Sequence, residues 1–270
     1  MHGTLTLLRH SLGRLRGLVA AMAIVVALFQ VLLVRVAGTL QESAGFSGLA
    51  AVLPPFVRQM AGEALFTFMS FSGIVCLGYF HPIIIAALCG MAIAAATEPA
   101  AEIETRFLDA ILVRPVRRQA IIVRSVVLLL LLPALVLFAM VAGTAAGLHW
   151  LAPPGVQLPG AGLIASLAGN LWALLVCVGG WSLAVAAASR RRSVAGTIAG
   201  VATLVLFLVD YLARAWKPAD AVAWLSPFHY FRAMELLMGR PLALSHVAVL
   251  LVAGAVGMAL AWLVFTRRDL

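Results

Sequence analysis

The chain has 270 residues, of which 64% are hydrophobic and 11% are charged, with a formal net charge of +9. A soluble domain is about 45–50% apolar and about 25% charged, so this composition excludes a soluble globular protein. Spans in a bilayer must be helices or closed barrels, and the alternating ten-residue segments of a barrel are absent. We therefore expect an all-α, polytopic membrane protein with a single transmembrane domain over residues 1–270.

Long apolar segments in the sequence predict six transmembrane helices with both termini in the cytoplasm. The first is preceded by arginines and is too long for the apolar part of a signal peptide, so we interpret it as a span. The basic residues stand in short blocks beside the spans, which is typical of membrane topology rather than of a nucleic-acid-binding face. The spans are expected at about residues 17–37, 79–97, 120–148, 162–188, 194–212 and 247–265.

The region from residue 64 to residue 97 is apolar almost throughout and has room for one span or two. His81-Pro82 interrupts it. A single span here places most of the arginines on the cytoplasmic side, whereas two spans would put all later arginine blocks outside. We therefore predict one span, with Pro82 in its first helical turn. The backbone N–H groups of that turn have no acceptor within the helix, so the N–H that proline lacks is not needed there. Residues 64–78 then form an amphipathic or partly inserted segment.

Two outer segments, residues 38–78 and 213–246, precede the second and sixth spans. The latter is rich in aromatic residues, which favours an interfacial or re-entrant helix pair. Within the spans, Asn170 is expected to act in helix packing or to line a path, and Asp210 to pair with Arg214 four residues on. Gly196 and Gly200 permit a close helix contact, either within one subunit or between two.

Residues 98–118 form a dense island of both charge signs between the second and third spans. Pro99 is placed to start a helix, and Glu102 and Glu104 follow in its first turns, where acids suit the positive end of the helix dipole. The spacing of Phe107, Ile111 and Arg114 gives a further helical face. We interpret this stretch as a cytoplasmic coupling segment that docks a soluble partner, while a merely solvated helix face is the alternative. The proposed docking residues are Glu102, Glu104, Phe107, Asp109, Arg114, Arg117 and Arg118.

Three stretches of the chain resemble signatures of bacterial type-2 ATP-binding-cassette (ABC) transporter permeases. Residues 102–118 contain an acidic pair, a Leu-Asp-Ala-Ile-Leu run and an Arg-Pro-Val-Arg-Arg end, although Arg106-Phe107 stands where the family usually has Gly-Thr. Residues 225–231 (LSPFHYF) and the terminal residues 265–270 are similar to two later family signatures. The resemblance extends over nearly the whole chain.

This resemblance implies a transmembrane subunit that pairs with a second permease subunit, with a homodimer favoured. Two copies of a cytoplasmic ABC ATPase would dock on the segment between spans two and three, and re-entrant helices would precede span six. ATP and Mg²⁺ would be bound by the ATPase and no cofactor by this chain. The expected location is the cytoplasmic (inner) membrane of a bacterium.

The sequence contains no recognisable catalytic, cofactor-binding or metal-binding motif. It has no Walker A motif, and its one lysine, Lys217, lies in an outer segment. Cys76, Cys89 and Cys177 lie in apolar stretches and are expected to be inert. The chain is therefore expected not to be an enzyme, and we find no facing side chains for an intramembrane protease. The favoured function is an exporter of hydrophobic or amphipathic substrates. The alternative is an ABC-type mechanotransmission subunit that acts on an extracytoplasmic partner without transport.

Overall fold

A computed structural model describes residues 2–42, 67–105 and 118–267, with side chains for residues 13–41, 67–105, 120–214 and 216–267. Every regular element in these ranges is a helix, which confirms the all-α prediction for this part of the chain. The α-helices are His2–Glu42, Phe71–Cys76, Pro82–Ala96, Glu98–Glu104, Arg118–Leu151, Ala161–Ala188, Arg192–Ala215, Lys217–Ala223, Ala233–Leu237 and Leu244–Arg267, with 3₁₀ turns at Leu77–Tyr79 and Pro227–Tyr230.

Six helical segments of the described chain are long and apolar enough to cross a membrane, and this confirms the predicted number. We call them spans one to six. They are Gly13–Gln41, Phe71–Ala96, Ala120–Leu151, Ala161–Ala188, Arg192–Arg214 and Leu244–Arg267.

Span two begins at Phe71 rather than at about residue 79. The Ser70 side chain accepts a hydrogen bond from the Gly73 N–H at 3.0 Å and so caps a short helix ahead of the 3₁₀ turn. Pro82 then opens the main helix of the span at its first position, as the sequence predicts. Residues 71–78, expected to form a separate segment, are therefore continuous with the span.

Span four lies at the centre of the bundle, and its most apolar stretch is more deeply buried than that of any of the other five spans. Its closest neighbour is span six, and the two helices meet at Gly180. A Cβ atom at Gly180 would meet the backbone oxygen of Gly254, and one at Gly257 would lie 2.6 Å from the Gly180 carbonyl carbon. Only glycine permits this approach of two backbones. Spans one and three form a second close pair, in which a Cβ at Gly143 would lie 2.6 Å from the Ala27 oxygen.

The two ends of the bundle differ in chemistry. Spans four and five are joined at one end by a short turn that contains Arg190 and Arg191, as predicted, and the helix Glu98–Glu104 lies at the same end. We call this the arginine end. The opposite end holds the segment from Trp216 to Ala243, and we call it the aromatic end.

Several predictions fall outside the described residues. These are the helical face from Phe107 to Arg114, most of the outer segment at 38–78, and the terminal motif beyond Arg267.

Candidate functional site

The helix Glu98–Glu104 lies at the arginine end, directly before residues 106–117. We call it the linker helix. Pro99 occupies its first turn, as predicted, and Thr105 is its C-cap residue. Glu98 and Glu102 are both buried, at 1% and 2% exposure. Carboxylates are rarely buried without a charged partner, and each of these two has one.

Glu102 forms a two-pronged ion pair with Arg124 of span three. The Arg124 Nη1 and Nη2 atoms donate to Glu102 Oε1 and Oε2 at 2.7 and 2.8 Å. The Arg124 side chain has no exposed surface. This parallel arrangement uses the planar fork of the guanidinium and is the strongest geometry for such a pair. The pair fixes the linker helix to the start of span three.

Glu98 lies between two other spans. Its Oε1 is 3.1 Å from Arg192 Nη2 of span five, and its Oε2 is 3.6 Å from Arg14 Nη1 of span one. The Glu104 side chain accepts a hydrogen bond from the Arg192 backbone N–H at 2.9 Å. Three acids of the linker helix thus connect it to spans one, three and five.

The structure places the predicted docking residues in different environments. Glu104 is exposed, whereas Glu102 is buried and occupied by Arg124. In this structure Glu102 acts inside the chain, and its direct contact with a partner stays a prediction. Phe107, Asp109, Arg114 and Arg117 lie outside the described residues, and Arg118 is described only as the first residue of its helix.

The pairing predicted for Asp210 at the far end of span five is present. Arg214 Nη2 donates to Asp210 Oδ2 at 2.6 Å, and Asp210 is buried while Arg214 is exposed. Asn170 is also buried, in span four, beside a small cavity at the aromatic end. Its Oδ1 has no hydrogen-bond partner among the described residues, so a role in helix packing and a role in a path both stay predictions.

Gly196 and Gly200 of span five have open space around them. A Cβ atom at either position would meet nothing within 4 Å in the described part of the chain. The close contact within one subunit that the sequence allowed is therefore not observed there. A contact between two copies of the chain remains a prediction.

Sequence reasoning missed the two residues that organise the arginine end. The sequence patterns do not single out Arg124, which lies near the start of the third apolar stretch, or Glu98, which is one acid of the charged island at residues 98–118. A signal was available for Arg124, because an arginine five residues inside an apolar helix requires a counter-charge. Among the described residues no group of His, Cys, Asp and Glu is arranged to hold a metal ion.

Comparisons with known proteins return no similar family: no family model matches the chain, and no curated protein matches it in sequence. The likeness to type-2 ABC permeases therefore depends on three short motifs and on their order along the six spans.

Proposed function

We propose that this chain is the transmembrane subunit of an ATP-driven ABC exporter, working as a pair of subunits with two copies of a separate cytoplasmic ATPase. In this proposal the arginine end faces the cytoplasm, and residues 98–118 are the coupling segment. Hydrophobic or amphipathic molecules cross the inner membrane of a bacterium along the spans.

The observation that most supports this proposal is the anchoring of the linker helix. Glu98 and Glu102 reach arginines of spans one, three and five, so the helix that leads into the docking segment is held against half of the bundle. A loop that only connected two spans would need no such anchoring. An element that receives work from an ATPase does need it, because the force has to reach the helices that enclose the substrate.

Transport is tested with inside-out vesicles from cells that express this chain together with the ABC ATPase encoded nearest to its gene. The vesicles are incubated with ATP and a metabolite extract of the source cells, and their contents are analysed by mass spectrometry. We expect at least one amphipathic compound to accumulate with ATP, and none when ATP is replaced by a non-hydrolysable analogue.

A matched control separates docking from general damage. The double variant Asp109→Ala/Arg117→Ala is expected to abolish accumulation, whereas Lys217→Ala, which removes an exposed cation at the aromatic end, is expected to leave it unchanged. ATP hydrolysis that depends on this chain but produces no accumulation of any compound would favour the mechanotransmission alternative. Full accumulation in the double variant would show that these residues do not dock the ATPase.

A further inference from the structure

A small cavity lies between spans four and six at the aromatic end. Its accessible volume is about 10 Å³, which is close to what one water molecule needs. Asn170 of span four and His246 of span six both line it. The rest of its wall includes residues of the aromatic end, among them Tyr230, Arg232, Glu235 and Leu236.

Asn170 and His246 each carry a buried polar atom without a protein partner in the described part of the chain. Asn170 is 2% exposed, and its Oδ1 accepts no hydrogen bond from those residues. His246 is partly exposed, but its Nδ1 is buried and likewise has no partner among them. A buried polar atom without a hydrogen bond costs free energy, so we expect both atoms to have a partner that is not a protein group.

The packing of spans four and six places these two side chains at a similar depth. Both helices run from the aromatic end to the arginine end, and their backbones meet where Gly180 approaches Gly254. Asn170 lies ten residues before Gly180, and His246 lies eight residues before Gly254. These offsets correspond to about 15 Å and about 12 Å along the two helices. Asn170 and His246 therefore lie near one level of the bundle, on two different helices.

Other polar groups of the cavity wall already have protein partners. The Tyr230 hydroxyl donates to the Trp224 carbonyl at 3.0 Å, and Arg232 Nη1 donates to Glu235 Oε1 at 2.8 Å. Tyr230 also packs edge-on against the ring of His246, with 5.7 Å between the ring centroids, and this restrains the imidazole. Because these groups are engaged, the two unpartnered atoms need a ligand that can both donate and accept hydrogen bonds.

We propose that Asn170 and His246 bind one buried water molecule between them, which links span four to span six. The water donates one hydrogen to Asn170 Oδ1. Its other hydrogen is donated to His246 Nδ1, or its oxygen accepts from Nδ1–H, according to the tautomer of the ring. Water matches the site because it combines donor and acceptor capacity with a volume that a cavity of this size can hold. Asn170 then acts in helix packing through a solvent molecule, and this role does not depend on the proposed transport function.

Radiolytic labelling of the purified chain in nanodiscs tests for the water. A short X-ray pulse converts bound water as well as bulk water into hydroxyl radicals, which oxidise the nearest side chains. Leu236 lines the cavity and is 5% exposed, whereas Leu15 of span one lies elsewhere and is 4% exposed. We expect Leu236 to be oxidised several-fold faster than Leu15, although both are shielded from bulk solvent to the same extent. Oxidised residues are identified and quantified by mass spectrometry.

A pair of variants tests whether the two residues share the ligand. Asn170→Leu and His246→Phe keep the approximate shape of each side chain and remove its hydrogen-bonding atoms. If both lose the same water, the double variant should unfold at the temperature of the less stable single variant, because effects on a shared partner are not additive. Oxidation of Leu236 should fall to the rate of Leu15 in each single variant. Ser182→Ala is the control, since this hydroxyl of span four bonds within its own helix, and it should leave Leu236 oxidation unchanged.

Three results would overturn the proposal. Oxidation of Leu236 at the rate of Leu15 in the wild type would mean that the cavity holds no water, and this result needs no variant to fold. Losses of unfolding temperature that add in the double variant would mean that Asn170 and His246 act separately. An unfolding temperature that rises with sodium or ammonium chloride but not with choline chloride, and no longer does so in Asn170→Leu, would make this a cation site. These measurements involve neither an ATPase nor transport, so they leave the proposed function untouched.

Discussion

Arg124 and Glu102 bind each other through two parallel hydrogen bonds of 2.7 and 2.8 Å, with both side chains withdrawn from the surface. The pair joins residues that are 22 positions apart in the sequence, and it connects the linker helix to span three. Glu102 lies within residues 98–118, the proposed coupling segment, so this pair attaches that segment to span three.

Removing one partner of this pair is expected to destabilise the protein strongly. Glu102→Ala leaves the Arg124 guanidinium buried without a counter-charge, which costs about 3–5 kcal/mol of unfolding free energy. Thermal unfolding in detergent can be followed with a thiol-reactive dye, because Cys76, Cys89 and Cys177 are all buried and free.

Two further variants identify the cause of that loss. Glu102→Leu combined with Arg124→Met replaces both charges by apolar groups and is expected to recover most of the stability. Arg232→Ala breaks an exposed pair with Glu235 and is expected to cost about 1 kcal/mol or less. If the Glu102→Ala protein were as stable as wild type, the ion pair would not be what anchors the linker helix.

The crossing of spans four and six is expected to be intolerant of a single added methyl group. In Gly180→Ala the new Cβ would meet the backbone oxygen of Gly254, and overpacking of this kind costs about 1–3 kcal/mol. Gly169→Ala is the matched control, since it lies in the same helix with nothing within 4 Å of its Cβ, and it is expected to be neutral or slightly stabilising. Equal unfolding temperatures for the two variants would argue against the close crossing.

Stability at the aromatic end is expected to depend on the ionisation of Glu235. The hydrogen bond from Arg232 lowers the pKa of Glu235 below its ordinary value of 4.5, with Arg240 adding to the effect. A carboxylate with a lowered folded-state pKa stabilises the protein above its unfolded pKa, and this contribution is lost as the pH falls through the folded pKa. Wild type should therefore unfold at a higher temperature than Glu235→Gln at pH 7, and the difference should shrink below pH 4.5. A difference that is constant with pH would contradict the assignment.

The two ends of the bundle are expected to face opposite sides of the membrane. Single cysteines at Arg191 and Lys217, both exposed positions, would be introduced after Cys76, Cys89 and Cys177 are replaced by alanine. A membrane-impermeant maleimide added to intact cells should label Lys217→Cys at once and Arg191→Cys only after permeabilisation. The reverse pattern would place residues 98–118 outside and exclude a cytoplasmic ATPase as the partner.

The features that the sequence predicted correctly are those with local causes. Pro82 opens a helix because its ring lacks an N–H, and Asp210 pairs with Arg214 because residues four apart share a helix face. The turn at Arg190 and Arg191 is short, so it had to join neighbouring antiparallel helices. Six spans follow from apolar length together with the positions of the arginines, which favour one span and not two between residues 64 and 97.

The features that could not be predicted depend on which helix faces meet. Gly196 and Gly200 have the spacing of a packing motif, yet the observed crossing uses Gly180 and Gly254. Glu102 had the appearance of a surface acid because its partner, Arg124, lies in the next span, and their contact exists only after the helices have packed. Which charges become buried is decided by how the helices pack, so hydropathy along the chain cannot predict it.

The central claim is that this chain receives work from a separate ATPase through residues 98–118. Its most direct test is the rate of ATP hydrolysis by the ABC ATPase encoded nearest to its gene, measured alone and with this chain in nanodiscs. We expect the ATPase to bind the nanodiscs and its hydrolysis rate to change when the chain is present. Both effects should be lost in Asp109→Ala/Arg117→Ala and retained in Lys217→Ala. An ATPase that neither binds nor responds, or a purified chain that transports an amphiphile against its gradient without one, would contradict the account.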